Sequence, residues 1–478
     1  MTITEAAAAL RKSELSSVEL TEACLRAAEV GQTITSAYVT IDREGALAGA
    51  READGRRKAG QPLSELDGIP LAVKDNICVA GGRTTAGSGI LKDYRAAYDA
   101  TVVGKLRRSG AVLLGKTNMD EFAMGSSTES SVHGPTRNPW DTAQIPGGSS
   151  GGSAVAVAEG SACGALGSDT GGSIRQPAAM CGVVGLKPTY GRVSRYGLIA
   201  MASSLDQIGP LTRSVDDAEL LLGAIEGRDA NDSTSVELRS DWGLKGERLA
   251  SLKGIRVGVP KEYFGQGMQP EVEASVRQAI ERMAGLGAEI KEVSLPHSEY
   301  ALAVYYVLMP SEVSANLARF DGMRYGTRVS GGSLENTYRR SRGQGFGKEA
   351  RRRIMIGTYA LSSGYYDAYY LQAQKARRLI SDDFFRAFRD VDVLVGPTSP
   401  LAAWKLGEMQ DDPLAMYLAD IYTVAVNVAG LPALSLPCGL AAGLPVGFQF
   451  IGRHFEEGRL LAVARAFEEA HGRLPLKK

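Results

Sequence analysis

The sequence predicts an α/β protein with a large mixed β-sheet core that helices cover on both faces. Short apolar runs of the kind that form buried strands recur from the first third of the chain to its C-terminal end. Segments with helical periodicity lie between these runs, and this alternation is typical of layered α/β proteins. The clearest strand candidates are residues 69–73, 111–114, 255–259, 391–395, 433–436 and 446–451.

Helices are predicted at the N-terminus and again in the second half of the chain. Thr2 with Glu5, and Ser16 with Glu19, have the spacing of capping boxes, and Ala/Leu-rich segments follow them. Apolar residues at helical spacing then mark one face of an amphipathic helix, namely Val272, Val276, Ile280 and Met283.

Between about residues 299 and 382 a helical segment rich in tyrosine and arginine interrupts the strand pattern. We interpret it as an insertion near the mouth of the functional site. Aromatic residues beside arginines are one signature of RNA contact. Four of the tyrosines recur at helical spacing, however, which favours packing instead: Tyr365, Tyr366, Tyr369 and Tyr370.

Composition limits the possible functions. Lys plus Arg and Asp plus Glu each number 54 among 478 residues, so the formal net charge is zero and no overall basic field indicates nucleic-acid binding. No GxxxxGK[ST] motif is present, so the chain encodes no visible ATP site.

The N-terminus and the cysteines predict a cytoplasmic protein. No basic region followed by a long apolar run opens the sequence, so secretion and membrane spanning are not expected. The cysteines are odd in number and lack CxxC spacing, which argues against a disulfide framework or a zinc site. They are Cys24, Cys78, Cys163, Cys181 and Cys438.

Two glycine-rich turns with serines are the most informative motifs. They read PGGSSGGS at 146–153 and GSDTGGSIRQP at 167–177. A Gly/Ser run is usually a flexible linker. Here a small-residue segment, 154–158, follows the first turn, and a second buried segment, 162–167, leads into the second turn. We therefore expect ordered turns that carry chemistry.

A serine nucleophile needs a base, and no histidine lies in either of the two glycine-rich turns. Lys74 follows the apolar run 69–73, and burial at the end of a strand would lower its pKa enough for it to act as a base. We expect a relay from Ser173 through Ser149 to Lys74. The alternative for Lys74 is a strand-end lysine that reaches solvent.

The second turn also predicts a site for the oxyanion, because glycines let successive backbone N–H groups converge on one point. The predicted donors are the N–H groups of Thr170, Gly171, Gly172 and Ser173. Asp169 and Arg175 flank this turn, and we interpret them as a structural ion pair that holds the loop.

These motifs resemble the core of the amidase signature family almost without gaps over residues 66–210. The resemblance implies the amidase signature fold, with Lys74 as the base and Ser173 as the nucleophile that forms an acyl-enzyme. It also implies that Ser149 follows an unusual cis peptide bond. We expect no metal ion to take part in this chemistry.

Segments beyond the core resemble more narrowly the A subunits of tRNA-dependent glutamyl/aspartyl amidotransferases. They are residues 316–326, 351–358, 361–370, 426–433 and 443–449, so the resemblance spans nearly the whole chain and implies a single domain, 1–478. It also implies that glutamine is the substrate. Arg353 would bind its α-carboxylate and Asp420 its α-amine, with Met124 and either Tyr305 or Tyr306 lining the pocket.

Without the resemblance, these two charged residues have ordinary interpretations. Arg353 ends a run of three arginines that could simply be solvated, and Asp420 could be a helix-surface acid.

By the resemblance, a B subunit would bind and activate the tRNA with ATP and Mg, and a small C subunit would brace the A–B contact. The acceptor, Glu-tRNA or Asp-tRNA, stays open. The rival function is that of a stand-alone amidase for another small amide.

Overall fold

One eleven-stranded sheet forms the centre of the computed structural model, which describes residues 1–244, 248–265 and 267–477. The strands are β1 (Tyr38–Ile41), β2 (Pro70–Lys74), β3 (Val112–Thr117), β4 (Gly164–Asp169), β5 (Val184–Lys187), β6 (Gln207–Thr212), β7 (Arg256–Pro260), β8 (Glu289–Val293), β9 (Val393–Pro397), β10 (Ala433–Ala441) and β11 (Leu444–Ile451). Their order across the sheet is β1-β3-β2-β4-β6-β5-β10-β11-β9-β7-β8.

The sheet is mixed, as predicted. The pairs β2–β3, β2–β4, β7–β8 and β7–β9 are parallel, whereas the strands in the middle of the sheet pair antiparallel. Helices pack against this sheet, which confirms the α/β class. They are α1 (Ile3–Arg11), α2 (Ser17–Gln32), α3 (Arg43–Lys58), α4 (Thr101–Arg108), α5 (Gly151–Ala158), α6 (Arg175–Cys181), α7 (Val215–Ile225), α8 (Pro270–Gly285), α9 (Ala301–Asn316), α10 (Leu334–Gly345), α11 (Lys348–Ala360), α12 (Gln372–Asp390), α13 (Pro413–Leu418), α14 (Val424–Ala429) and α15 (Glu457–His471).

Both predicted capping boxes are present at the starts of α1 and α2. All six predicted strands also exist, as β2, β3, β7, β9, β10 and β11. Five further strands had no prediction. β1 has only four residues and is mostly half-buried, β4, β5 and β6 contain glycine or proline, and β8, at the edge of the sheet, is charged and partly exposed. None of the five therefore reads as a simple apolar run.

The sheet brings the two motif-bearing segments together. β2 and β4 are parallel neighbours, with Val73 opposite Leu166, so their carboxyl ends lie at the same edge of the sheet. Lys74 ends β2 and Asp169 ends β4. Helix α5 then begins inside the first glycine-rich turn and α6 follows the second.

The Tyr/Arg-rich segment is helical, with α9 to α12 between β8 and β9. Its tyrosines divide into two groups. Tyr365, Tyr366 and Tyr369 are exposed, and their rings pack on neighbouring tyrosines and not in the core. Tyr370 does pack against the buried cluster around α9 and α12. None of the described helices combines the length and the apolar character needed to cross a membrane.

Candidate active site

Lys74 is fully buried at the end of β2, where its ammonium points into the first glycine-rich turn. Its Nζ donates to Ser149 Oγ at 2.8 Å, to Ser150 Oγ at 2.7 Å and to the Ser168 carbonyl at 3.2 Å. The peptide bond between Gly148 and Ser149 is cis. The alternative in which Lys74 reaches solvent is therefore wrong.

Burial lowers the pKa of Lys74 to about 7, although three nearby carboxylates, Asp120, Asp169 and Asp206, act in the opposite direction. A lysine with this pKa is partly neutral near physiological pH. The site thus supplies a base without a histidine.

Ser173 lies in the second turn, between β4 and α6, and is only 8% exposed. Its carbonyl accepts a hydrogen bond from the Ser150 backbone N–H at 3.2 Å, which ties the two turns together. Within the described residues, the Ser173 hydroxyl makes no hydrogen bond to Ser149. The structure therefore forms the Lys74–Ser149 link of the predicted relay and leaves the Ser149–Ser173 link open.

The predicted oxyanion donors are not equivalent. The Gly172 N–H donates to Asp169 Oδ1 at 2.8 Å, so this amide is already occupied. The N–H groups of Thr170, Gly171 and Ser173 have no acceptor among the described residues. Gly172 has a φ of +142°, and a Cβ there would collide with Thr423 Oγ1, so glycine at this position allows the turn, while its N–H binds Asp169 and not an oxyanion.

Asp169 and Arg175 form a buried ion pair, as predicted. Burial alone would raise the pKa of Asp169, but the Arg175 guanidinium more than offsets this and holds it below its ordinary value. Arg175 also donates to Asn427 and Gln449, so the pair connects the second turn to α14 and β11.

Asp420 lies between α13 and α14 and is 8% exposed, so its interpretation as a surface acid is wrong. Its Oδ2 accepts from Ser126 Oγ at 2.5 Å, and its buried Oδ1 has no partner among the described residues. Oδ1 lies 3.4 Å from where a Cβ on Gly172 would be, next to Ser173. Burial raises the pKa of Asp420 to about 7.

Arg353 is 3% exposed on the inner face of α11, whereas Arg351 is exposed. Its guanidinium lies over the rings of Tyr306 and Tyr417, 5.5 Å from each centroid, and its Nε donates to Glu349 Oε1 at 2.8 Å. A solvated role for Arg353 is therefore wrong, and its burial suits a residue that meets an anion.

The two candidate tyrosines lie at different places. The hydroxyl end of Tyr305 approaches within 2.7 Å of where a Cβ on Gly171 would be, so Tyr305 faces the second turn. Tyr306 stacks on Tyr417 at 4.0 Å and contacts Arg353 instead. Met124 is buried and lines a cavity of about 290 Å³, which Glu349 and Tyr417 also line.

Three residues in the site had no prediction. Ser150 lies in the same Gly/Ser run as Ser149, and the run does not show which serine meets the lysine. Gln176 accepts from the Gly148 N–H at 2.8 Å and joins the two turns. Glu349 lies four residues before Arg353, a spacing that favours an ion pair on a helix and could have revealed it.

The fold and this serine–lysine arrangement define an amide-cleaving class of enzyme, and a family model described as Amidase matches residues 19–461. The chain therefore belongs to the amidase family. The A subunit of Glutamyl-tRNA(Gln) amidotransferase from Thioalkalivibrio sulfidiphilus is 56% identical over 99% of this chain and 98% of the relative. The protein of the same name from Moorella thermoacetica is 58% identical over 98% and 96%.

Solved structures of the family share the whole fold. The A subunit of Glutamyl-tRNA(Gln) amidotransferase from Thermotoga maritima superposes with a TM-score of 0.82 at 43% identity, covering 100% of this chain and 97% of its own. Native peptide amidase from Stenotrophomonas maltophilia superposes with a TM-score of 0.83 at 34% identity, covering 100% and 98%. The fold alone therefore does not distinguish these two kinds of amidase.

Proposed function

We propose that this chain is the glutamine-hydrolysing, ammonia-producing subunit of a tRNA-dependent amidotransferase that converts Glu-tRNA(Gln), Asp-tRNA(Asn) or both to the amidated forms. The observation that carries the proposal is the 2.8 Å hydrogen bond from buried Lys74 to Ser149 beside the Ser173 turn. The similarity to proteins of that name over nearly the full length supports the choice of substrate.

In this mechanism Ser173 attacks the side-chain amide carbon of glutamine while its proton passes through Ser149 to neutral Lys74. Catalytic hydrogen bonds often tighten only when the substrate binds, so glutamine would bring the Ser173 hydroxyl into contact with Ser149. The amide oxygen becomes an oxyanion, which the free backbone N–H groups of the second turn stabilise.

Collapse of the tetrahedral intermediate breaks the C–N bond. Lys74 returns the proton through Ser149 to the leaving nitrogen, and ammonia departs. A glutamyl ester on Ser173 remains. Water, deprotonated by the same relay, then attacks the ester and releases glutamate, which restores the Ser173 hydroxyl.

Two buried charges would recognise the amino-acid end of glutamine. Arg353 offers a planar donor fork to the α-carboxylate. The Oδ1 of Asp420, which has no partner among the described residues, offers an acceptor to the α-ammonium. Tyr305 and Met124 complete the pocket. A buried carboxylate oxygen without a hydrogen bond is costly, so its presence supports a cationic ligand group at this point.

The ammonia would be used by partners in the cytoplasm. A B subunit would bind the misacylated tRNA and activate it with ATP and Mg, and a small C subunit would brace the complex. The zero net charge of this chain supports that division, because RNA binding draws its affinity from neutralised phosphates.

The test mixes the purified full chain with misacylated tRNA, Mg-ATP and glutamine, with and without the other two subunits. We expect the chain alone to bind tRNA with a Kd no tighter than about 10⁻⁶ M at physiological salt. Amidated aminoacyl-tRNA should form only in the full complex. Amidation by the chain alone would contradict the division of labour, and glutamine hydrolysis that never responds to the partners, tRNA and ATP would favour a stand-alone amidase.

A further inference from the structure

Helix α11, which carries Arg353, begins after Gly347, a residue with no side chain that could cap the helix. The Gly347 N–H instead donates to the carboxylate of Glu121, at 3.1 Å to Oε1 and 2.9 Å to Oε2. The two residues are 226 positions apart in the sequence. A distant carboxylate therefore binds the N-terminal end of this helix, where free N–H groups need acceptors and favour negative charge.

The contact between Glu121 and the start of α11 is buried and closely packed. Glu121 is 3% exposed, and its Oε1 also accepts from the Ser88 hydroxyl. Beside it the rings of Phe122 and Phe346 pack together, with their centroids 5.7 Å apart. A Cβ on Gly347 would lie only 2.5 Å from Glu121 Oε2, so the packing leaves no room for a side chain at the start of the helix.

The residue before Glu121 contacts the other part of the candidate site. The Asp120 N–H donates to the Ser149 carbonyl at 3.3 Å. Phe122 and Ala123, which follow Glu121, have φ values of +49° and +63°. This conformation is unfavourable for such residues and persists where the surrounding structure imposes it. One short segment therefore contacts both the turn that carries Ser149 and the helix that carries the proposed carboxylate-binding arginine.

Taking the proposed glutamine site as the starting point, we propose that Glu121 is a positioning residue that fixes the start of α11 and so places Arg353 relative to the serine–lysine relay. Contacts with α9 hold one side of α11, and Glu121 ties its N-terminal end to the segment that touches Ser149. Arg353 lies in the second turn of the helix, close to this end. A shift of about 1 Å would weaken the two-donor contact between a guanidinium and a carboxylate, because that contact is specific in geometry.

Glu121 acts through α11 and not by binding glutamine. Both of its carboxylate oxygens already accept hydrogen bonds, whereas the Oδ1 of Asp420 has no partner among the described residues. The cavity of about 290 Å³ that Met124 lines is also lined by Glu121 and Gly347. The contact is therefore part of the cavity wall, and loss of it should change the shape of the cavity without removing a reacting group.

Two substitutions disturb the contact from its two sides. Glu121→Ala removes the acceptor, whereas Gly347→Ala places a methyl group 2.5 Å from the position of Oε2. Glu121→Gln keeps the length of the side chain and one acceptor oxygen. Glu262→Ala is the matched control, because the Glu262 carboxylate also accepts one hydroxyl and one backbone N–H, from Ser294 at 2.5 Å and Leu295 at 2.9 Å.

The kinetic test compares glutamine with 4-aminobutanamide, which is glutamine without its α-carboxylate. We expect Glu121→Ala to raise the KM for glutamine about tenfold and that for 4-aminobutanamide less than about twofold, because only glutamine would use Arg353. Glu121→Gln should keep the KM for glutamine within about threefold of wild type, since an acceptor remains. Glu262→Ala should leave both KM values unchanged.

The double variant shows whether the two substitutions act on one contact. Gly347→Ala should also raise the KM for glutamine more than that for 4-aminobutanamide. Glu121→Ala combined with Gly347→Ala should be no worse than Glu121→Ala alone, because the contact can be lost only once. If Glu121→Ala fails to fold, Gly347→Ala alone provides the test, since it displaces the carboxylate without removing it.

Hydrogen exchange, followed by mass spectrometry on the full chain without substrate, examines the contact directly. Amides at the start of α11 should exchange faster in Glu121→Ala and Gly347→Ala than in wild type and Glu262→Ala. Unchanged exchange there, equal increases in KM for the two amides, or effects that multiply in the double variant would overturn the inference. The proposed function fails separately, if wild type hydrolyses glutamine no better than 4-aminobutanamide.

Discussion

Asp169 and Arg175 meet inside the protein as a two-pronged pair, with Nε to Oδ2 and Nη2 to Oδ1 both at 3.1 Å. The same carboxylate accepts the backbone N–H groups of Gly172 and Ile174. One side chain therefore fixes both sides of Ser173. The position of Ser173, the proposed nucleophile, therefore depends on a buried charge with no part in the proposed reaction.

Asp169→Asn should lower the free energy of unfolding by about 3–5 kcal/mol, because Arg175 would be left as an uncompensated buried charge. Chemical denaturation monitored by circular dichroism measures the change. Asp241→Asn is the matched control: it breaks an exposed pair with Arg239, both side chains being more than half exposed, and should cost at most about 1 kcal/mol. Equal losses in the two variants would contradict a special role for the buried pair.

Ser173→Ala should abolish the glutamyl adduct on the protein and reduce glutamine hydrolysis by roughly 10³-fold or more. Lys74→Ala should be comparably severe, since no histidine lies in either serine-bearing turn to replace it. Intact-protein mass spectrometry detects the adduct and an ammonia assay follows turnover. Ser240→Ala, at an exposed serine, should change neither. An adduct that persists without the Ser173 hydroxyl would rule out this nucleophile.

The pH profile should differ between glutamine and glutaramate (4-carbamoylbutanoate), which is glutamine without its α-amine. Lys74 must be neutral to act as a base and its pKa is lowered to about 7, so kcat/KM for glutaramate should rise about tenfold per pH unit below 7 and level off above it. Glutamine also needs ionised Asp420, whose pKa is raised to about 7, so its profile should fall more steeply toward acid. Identical slopes for the two substrates would exclude Asp420 from amine binding.

Arg353→Ala should raise the KM for glutamine far more than the KM for 4-aminobutanamide, which is glutamine without its α-carboxylate. Arg353→Lys should restore little, since an ammonium lacks the planar two-donor geometry and cannot reproduce the contact to Glu349. Steady-state kinetics on both amides provide the measurement. Equal losses on the two substrates would make the arginine structural.

The parts of the fold predicted from sequence are those in which one local pattern dominates. Capping boxes and uninterrupted apolar runs act within a few residues, so α1, α2 and six strands were predictable. β4 reads GALGSD and is stabilised by its neighbours β2 and β6, which lie far away in sequence. Its glycines allow close packing that no local propensity reveals.

The residue types of the candidate site were predictable from the sequence, whereas their hydrogen bonds were not. Lys74 was identifiable because the two glycine-rich turns contain no histidine. Which of the adjacent serines, Ser149 or Ser150, contacts Lys74 depends on the local backbone geometry, and the structure shows contacts to both. Asp420 and Arg353 look like surface residues in sequence. Their burial follows from contacts between segments far apart in the sequence: α11 packs on α9, which places Arg353 over Tyr306, and Asp420 meets Ser126.

The hydrogen bonds of Arg175 also predict how much of the chain must be synthesised before the site can form. Its guanidinium is fully buried and needs acceptors from Asn427 and Gln449, near the end of the chain. Lys74, Ser149 and Ser173 leave the ribosome long before these acceptors do. A chain that ends before Asn427 therefore contains Lys74, Ser149 and Ser173 but lacks these two acceptors of Arg175, so we expect it not to hydrolyse glutamine.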